Sequence, residues 1–278
     1  MTVPESTVKH QWQFAFVQGF YSRFGFLFKD FTFDPNEFEV ALQSDQSELL
    51  QTMICDLLQL ARTDRGERIG AGNWQNYLRA YLAQCQGSLP WQLVESPMAF
   101  DGDFNLLDSQ HKLLIIWGLC ETLLQNNPDI HKYIESRTNT NLNKKGERSD
   151  PIMVEPFFID HQHKYYYFND GHPWLYRQTD PHEPNCRWEA VTSSEDEFND
   201  FISSLGTSSS RYDKLLYRRI QQAIRPEIDA LALKKRQQER ARLKTAMLHN
   251  NVEILSSRTR TRNKDAKYTF GEEGDDEF

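Results

Sequence analysis

The sequence has no long apolar run and only four cysteines, and each lack excludes a class of protein. Its most apolar window, Lys112 to Leu124, is interrupted by Glu121 and is too short to span a bilayer of about 30 Å. The first residues show no basic segment followed by an apolar one, so we expect no secretory signal and no membrane partner. The scattered cysteines favour reduced thiols in an intracellular protein: Cys55, Cys85, Cys120 and Cys186.

The motifs of common enzyme classes are also missing. The 13 glycines are dispersed, and Gly70-Ala71-Gly72 has neither the strand nor the third glycine of a phosphate-binding loop. No nucleophile elbow and no paired-carboxylate motif is visible. Asp101, Asp103 and Asp108 lack the glycine and the terminal glutamate of a calcium loop. We therefore expect a protein that is not an enzyme, with no cofactor and no small-molecule substrate.

A histidine-rich segment leaves a metalloenzyme open as an alternative. Its candidate ligands are His161, His163, His172, His182 and Cys186. A zinc site needs about four ligands that converge tetrahedrally, and these spacings match no structural zinc pattern. We interpret the histidines as surface residues and expect no metal.

Charge is distributed unevenly, although the net charge is only −8. Residues 1–210 hold 16 Lys and Arg against 29 Asp and Glu, a balance of −13. Residues 211–267 hold 16 basic against 6 acidic residues, a balance of +10, and residues 271–278 hold 5 acidic residues and no basic one. The pattern predicts an acidic body, a basic arm and an acidic tip, an asymmetry that concerns partners rather than fold.

The N-terminal part shows helical periodicity. Aromatic residues four apart predict one apolar helix face that runs from Trp12 to about Phe28. Asp34-Pro35 opens a short helix, and Asp45 with Glu48 caps the next one, which runs to Ala61. With a further amphipathic helix at Trp74-x-x-Tyr77-Leu78, the pattern predicts a helical bundle over residues 9–85.

Residues 103–206 combine helices with an aromatic hairpin. Asp170-Gly171 between β-favouring runs predicts a tight turn, and Arg187–Val191 could add a third strand. The predicted helices are a buried one at Leu113–Leu124, a shorter one at Asp129–Ser136, and Ser194–Leu205 with Gly206 as its C′ residue; Thr138–Asp150 is an expected loop or disordered segment. The aromatic side chains either stack on nucleobases or form a core, and we favour the core: Tyr165, Tyr167, Trp174, Tyr176 and Trp188.

The pattern of residues 207–254 predicts a charged basic helix, and that of residues 255–278 predicts a disordered tail. The residues of the basic helix that we expect to face inward are Tyr212, Leu215, Leu216, Ile220 and Ile224, and Pro226 predicts a kink or break at Arg225. Clustered cations release counterions from DNA, and the same residues suit nuclear import or a merely solvated helix.

The order of these motifs resembles the DDT and WHIM regions of accessory subunits of ISWI-type chromatin remodellers, without the PHD finger or bromodomain of some members. Phe31-Thr32-Phe33 to Ala41-Leu42, the helix after it and Trp74-x-x-Tyr77-Leu78 look like a DDT bundle. Leu113–Glu121, Pro156 to Arg177, and Trp188-x-x-Val191 with its capped helix look like WHIM segments. The sequence departs from the pattern at Phe157-Phe158 and at His163, where glycine is usual.

The resemblance implies a mostly α protein: a DDT-like bundle over 9–85, a WHIM-like region with the small antiparallel sheet over 103–206, and the basic helix. It implies a nuclear, non-catalytic scaffold subunit that docks on an ISWI-type ATPase and contacts linker DNA or the nucleosome, with histones as a further partner. The alternative is a histone-tail-binding adaptor or transcription regulator not tied to ISWI. We assign DNA binding to Arg177, Arg187, Lys234, Lys235, Arg236, Arg258, Arg260, Arg262 and Lys264, and partner binding to Phe24, Phe28, Phe31, Trp174 and Tyr176.

Overall fold

The computed structural model describes residues 8–28, 31–62, 68–85, 98, 102–141 and 155–262, with side chains left undescribed at 137–141 and 248–262. The chain is mostly helical with one small antiparallel sheet, as the sequence predicts. It divides into two units, residues 1–228 and 229–278. None of the described helices is both long enough and apolar enough to cross a membrane.

In the described segments, six α-helices precede the sheet. They are α1 (Trp12–Phe24), α2 (Pro35–Gln43), α3 (Glu48–Ala61), α4 (Trp74–Gln84), α5 (Ser109–Asn126) and α6 (Pro128–Asn141). Short 3-10 turns occur at Val8–His10, Gly25–Leu27 and Phe104–Leu106. α6 extends into the segment expected to be a loop, and residues 142–150 of that segment lie outside the described part of the chain.

Capping side chains set where these helices begin. Asp34 accepts a hydrogen bond from the Asn36 amide at 2.9 Å, which confirms the predicted start of α2. The cap of α3 is Ser47, whose hydroxyl accepts from the Leu50 amide at 3.3 Å, so the prediction of Asp45 was wrong. The serine is preferred because it immediately precedes the first helical residue, where its oxygen reaches an unpaired amide.

The central helix α5 packs against α1, α2 and α3. Its side chains are buried around almost the whole circumference, from Lys112 to Leu123. Lys112 is 3% exposed and donates from Nζ to the Ser44 carbonyl at 2.7 Å, beyond the end of α2. This bond fixes the α2–α3 connection on α5.

The sheet has four strands in the order β1 (Phe158–Ile159), β2 (Tyr165–Tyr167), β3 (Leu175–Gln178) and β4 (Trp188–Thr192). The predicted third aromatic strand is confirmed as β4, whereas β1 was not predicted. The expected tight turn is wrong, because residues 168–174 form a seven-residue connection between β2 and β3. A β-bulge between Leu175 and Tyr176 shifts the pairing with β4.

Both faces of the sheet are covered. Successive strand residues point to opposite faces, so Tyr167 and Tyr176 join the core of the N-terminal bundle. Tyr166 and Leu175 face the other way, into a second core. The helices that complete this second core are α7 (Glu195–Thr207) and α8 (Arg211–Arg219), with the turn that follows them. The predicted core role is therefore confirmed for Tyr167, Trp174, Tyr176 and Trp188, whereas Tyr165 is half-buried and belongs to neither core.

A π-helical turn, Ile220–Ile224, joins α8 to α9 (Arg225–Arg262). Pro226 lacks the amide that an α-helix would pair with the carbonyl four residues earlier. In the π turn the bonds reach five residues back, as from the Arg225 amide to the Ile220 carbonyl, so the widened turn accommodates the proline. Of the predicted kink or break at Arg225, the break is wrong because the helix continues through Pro226, and the irregularity takes the form of the π turn.

Four further expectations for this region are corrected. Tyr212 and Leu215 are 41% and 42% exposed, while Leu216, Ile220 and Ile224 are buried as predicted. Gly206 lies inside the last turn of α7, where its α-carbon faces the Tyr217 ring, and Ser208 is the C-cap. Helix α9 runs to Arg262, beyond the residue 255 at which disorder was expected, and residues 263–278 lie outside the described chain.

Candidate docking and nucleic-acid interface

A polar seam attaches the β2–β3 connection to helix α1. Asn169 donates from Nδ2 to the Ala15 carbonyl at 3.0 Å, and Ser22 donates to the Asn169 carbonyl at 3.1 Å. Asn169 approaches α1 at Gly19, where an added β-carbon would meet its side chain at 3.8 Å and the Arg23 guanidinium at 3.1 Å. The glycine leaves room for the connection to lie directly on the helix.

Gln18 is the centre of this seam and is completely buried. Its Nε2 donates to Asp170 Oδ1 at 2.9 Å, and its Oε1 accepts from the Tyr176 hydroxyl at 2.5 Å. Burial raises the pKa of Tyr176 well above its usual range, so the hydroxyl stays a donor. Burial also raises the pKa of Asp170, although His172 and the donors to its carboxylate act in the opposite direction.

Aromatic and imidazole contacts extend the seam on both sides. Trp174 stacks on Phe14 of α1 with ring centroids 5.0 Å apart, and its Nε1 donates to Asn36 Oδ1 at 3.2 Å. At the other edge, the Ala190 amide donates to His10 Nδ1 at 3.1 Å. The sheet is thus held against α1 and α2 by specific polar contacts as well as by apolar packing.

Four of the five aromatic residues assigned to partner binding are buried, two of them in this junction (Trp174 and Tyr176) and two in the N-terminal bundle (Phe24 and Phe28). Phe31 is half-buried against the Tyr21 ring. A partner could contact the four buried side chains only if the core opened. We therefore correct their assignment from docking to stability of the core.

The two arginines of the sheet differ in their surroundings. Arg177 donates from Nε to Glu189 Oε1 at 2.5 Å across β3 and β4 and also interacts with the Tyr166 hydroxyl. These partners raise its pKa against the opposing effect of burial, so Arg177 is committed to a structural ion pair. Arg187 has an exposed side chain, while its backbone bonds to Thr179 fix its position. Of the two arginines, Arg187 is therefore the one whose side chain is exposed and can contact a phosphate.

The cations assigned to the arm lie on α9 of the second unit. Lys234, Lys235 and Arg236 are exposed on that helix. Arg258, Arg260 and Arg262 fall within its last turns, where side chains are not described, and Lys264 lies outside the described residues. The first three give a continuous positive segment on a helical scaffold.

The histidine-rich segment does not converge. His172 is buried in the β2–β3 connection, His161 stacks on Tyr212 with ring centroids 4.3 Å apart, and His182 lies in the exposed β3–β4 connection. Across the described ranges, no group of three or more His, Cys, Asp or Glu side chains could hold a metal ion.

Two surface features were missed by sequence reasoning. The first is an open groove between α2 and α3, lined by Asn36, Glu37, Val40, Ala41, Ser44, Ser47 and Leu49, in which Val40 is 65% exposed. The second is the outer side of α8, which carries four exposed cations. Val40 is an apolar residue that does not fall on the same helix face as the buried Ala41 and Leu42. This departure from the helical periodicity was the sequence signal that could have indicated the groove.

A comparison with known proteins gives one relative. The DDT domain-containing protein DDR4 of Arabidopsis thaliana is 25% identical over 294 residues, which cover 96% of this chain and 38% of DDR4. This likeness supports a DDT-domain protein. The DDT-like chain therefore spans well under half the length of that relative. No family model and no solved structure matches the sequence of the present chain.

Proposed function

We propose that this DDT-like chain is a non-catalytic nuclear subunit that docks on an ISWI-type chromatin-remodelling ATPase and contacts linker DNA or nucleosomes. The similarity to a DDT domain-containing protein over 96% of the chain carries the proposal. The order of the WHIM-like segments around the sheet supports it further. A scaffold role also fits a body in which bundle, sheet and C-terminal helices are joined through two shared cores.

The groove between α2 and α3 is the surface that we propose for docking. Residues 34–48 contain five acidic side chains and no Lys or Arg: Asp34, Glu37, Glu39, Asp45 and Glu48. Val40 supplies exposed apolar area between Glu37 and the α3 start. Glu37 lines the groove itself and the other four acidic residues lie near it in sequence, so an apolar floor in an acidic segment suits a basic amphipathic segment of the ATPase.

The docking test is affinity purification of the tagged full chain from nuclease-treated nuclei, followed by mass spectrometry. We expect recovery of an ISWI-type ATPase, and Val40→Lys should reduce it because it adds like charge to a basic partner and removes apolar contact. Leu106→Lys is the matched control, since Leu106 is 83% exposed elsewhere on the body. Recovery of histones without the ATPase would favour the adaptor instead.

The basic arm is the part that we propose for general DNA affinity. Each phosphate contact contributes about 0.9 to the slope of log affinity against log salt concentration. Replacing Lys234, Lys235 and Arg236 by Gln should lower the slope by up to about 2.7. If affinity and slope both stay unchanged, these three cations do not contact DNA.

The histone-tail alternative relied on the aromatic sheet and on the acidic surface of the body, and the sheet lends it little support. An aromatic platform would need exposed rings, but one face of the sheet packs on the bundle and the other on α7 and α8. Nothing in the described part of the chain favours it over docking on the ATPase.

A further inference from the structure

The outer side of α8 carries an uncompensated positive face on the acidic body. Arg211, Lys214 and Arg218 are exposed and occupy helical positions i, i+3 and i+7, so their side chains share one side of the helix. Arg219 is exposed beside them. Leu216 and Ile220 are buried on the opposite side and fix which way the cations point.

No carboxylate neutralises this face within the described residues. None of the ion pairs found there involves an α8 cation, and the only acidic residue of α8, Asp213, is engaged at the helix start. Asp213 Oδ2 accepts from the Ser208 hydroxyl at 2.5 Å, and its amide donates to Ser210 Oγ at 3.4 Å. The acidic side chains of α7, which packs against α8, form no ion pair with it.

The face is also held rigidly. Tyr212 stacks on His161 of the β1–β2 turn at an interplanar angle of 23°, which ties the first turn of α8 to the sheet. At the other end, Arg225 donates to Asn199 Oδ1 of α7 at 2.7 Å. Cations on a fixed element lose less conformational entropy on binding than cations on a flexible tail.

We propose that Arg211, Lys214 and Arg218 form a second contact for the phosphate backbone of duplex DNA, on α8 of the first unit and additional to the α9 cations Lys234, Lys235 and Arg236. Seven residues of α-helix advance about 10 Å, and one DNA strand carries a phosphate per about 3.4 Å of axis, so the face reaches about three phosphates. The rest of an acidic body repels DNA, which leaves this face as a point of approach. The inference rests on the proposed contact with DNA and names where the body makes it.

The test is fluorescence anisotropy of a duplex DNA oligonucleotide with the full chain at several salt concentrations. The face variant combines Arg211→Gln, Lys214→Gln and Arg218→Gln, and the control variant keeps every charge as Arg211→Lys, Lys214→Arg and Arg218→Lys. The slope of log affinity against log salt should fall by about 2.7 in the face variant and stay unchanged in the control. Circular dichroism melting verifies that both variants fold.

Each outcome decides between the two proposals. If the unsubstituted chain binds the duplex and the face variant binds with the same affinity and slope, the α8 contact is wrong while the DNA role survives. If the unsubstituted chain does not bind the duplex, both are wrong. If the face variant loses affinity for single-stranded RNA of the same length but keeps it for the duplex, the ligand of the face is not DNA.

Discussion

The Tyr176 hydroxyl lies in the core and has one partner there, Gln18 Oε1 at 2.5 Å. In Tyr176→Phe the ring remains but the Gln18 oxygen is left unpaired, so the free energy of unfolding should fall by about 1–3 kcal/mol. Urea unfolding followed by circular dichroism measures it. Tyr165→Phe, at a half-buried position on β2, is the control and should change stability by less than about 0.5 kcal/mol. Equal losses in the two variants would contradict the seam.

Asp170 gives the seam a dependence on pH. Burial raises its pKa above the unfolded value of about 4, so the folded chain keeps this proton to a higher pH than the unfolded chain. The stability that Asp170 contributes is therefore present below that value and is lost as pH rises through the raised pKa. Asp170→Asn keeps a neutral acceptor for Gln18. The free energy of unfolding of the Asp170→Asn variant, relative to that of the unsubstituted protein, should increase as the pH is raised from about 4 to about 7.

The control for this pH profile is Asp108→Asn. Burial would raise the pKa of Asp108, but hydrogen bonds from His111 outweigh it and lower the pKa. Asp108 therefore stabilises the fold above its unfolded pKa of about 4 and loses that effect as pH falls below it, so the control should stay nearly level between about pH 4 and about pH 7. Parallel profiles for Asp170→Asn and the unsubstituted protein, measured by urea unfolding, would contradict the buried carboxylate.

His163 is the only non-glycine residue in the described segments with a positive φ, at 53°. This conformation costs an L-residue roughly 1–2 kcal/mol, and glycine adopts it freely. His163→Gly should raise the free energy of unfolding by about 0.5–1 kcal/mol once the extra freedom of the unfolded chain is deducted. His163→Ala keeps the backbone penalty and should give no gain. Thermal unfolding compares the two, and equal melting temperatures would argue against strain in the β1–β2 turn.

At the scale of helices and strands, Lys112 is the contact that fixes the α2–α3 connection on α5. Lys112→Met keeps the apolar stem but leaves the Ser44 carbonyl without its donor, so the free energy of unfolding should fall by about 1–2 kcal/mol. Lys132→Met, which removes an exposed ion pair with Asp129, should cost less than about 0.5 kcal/mol. Urea unfolding of both variants measures the difference. A Lys112→Met protein as stable as the parent would show that the bond is dispensable.

Local patterns predicted most helices because capping and apolar periodicity act over a few residues. The starts at Asp34 and Ser194 follow from this, as each side chain caps the helix expected there. The β2–β3 connection did not follow, since Asp170 is drawn into contact with Gln18, 152 residues away. The π turn was not predicted from the sequence either, because a proline in a helical pattern indicates a break unless the hydrogen-bond register changes nearby.

For the whole molecule, the placement of the candidate site depended on which faces the tertiary fold covers. Aromatic content alone left Trp174 and Tyr176 open to stacking or to a core, and only the packing of the bundle on one side of the sheet decides that they are buried. The same packing leaves Val40 and the α8 cations exposed. Composition predicted the basic arm correctly as a charged helical segment, but sequence alone does not separate cations with internal partners, such as Arg177, from those without.

Docking on an ISWI-type ATPase is tested most directly with purified components. The full chain is mixed with the recombinant ISWI-type ATPase of its own organism, without DNA, and size-exclusion chromatography with light scattering gives the mass of each peak. We predict one peak with the summed mass of the two proteins, which Val40→Lys diminishes and Leu106→Lys preserves. Two separate peaks at the masses of the free proteins, at concentrations well above micromolar, would contradict the proposed function.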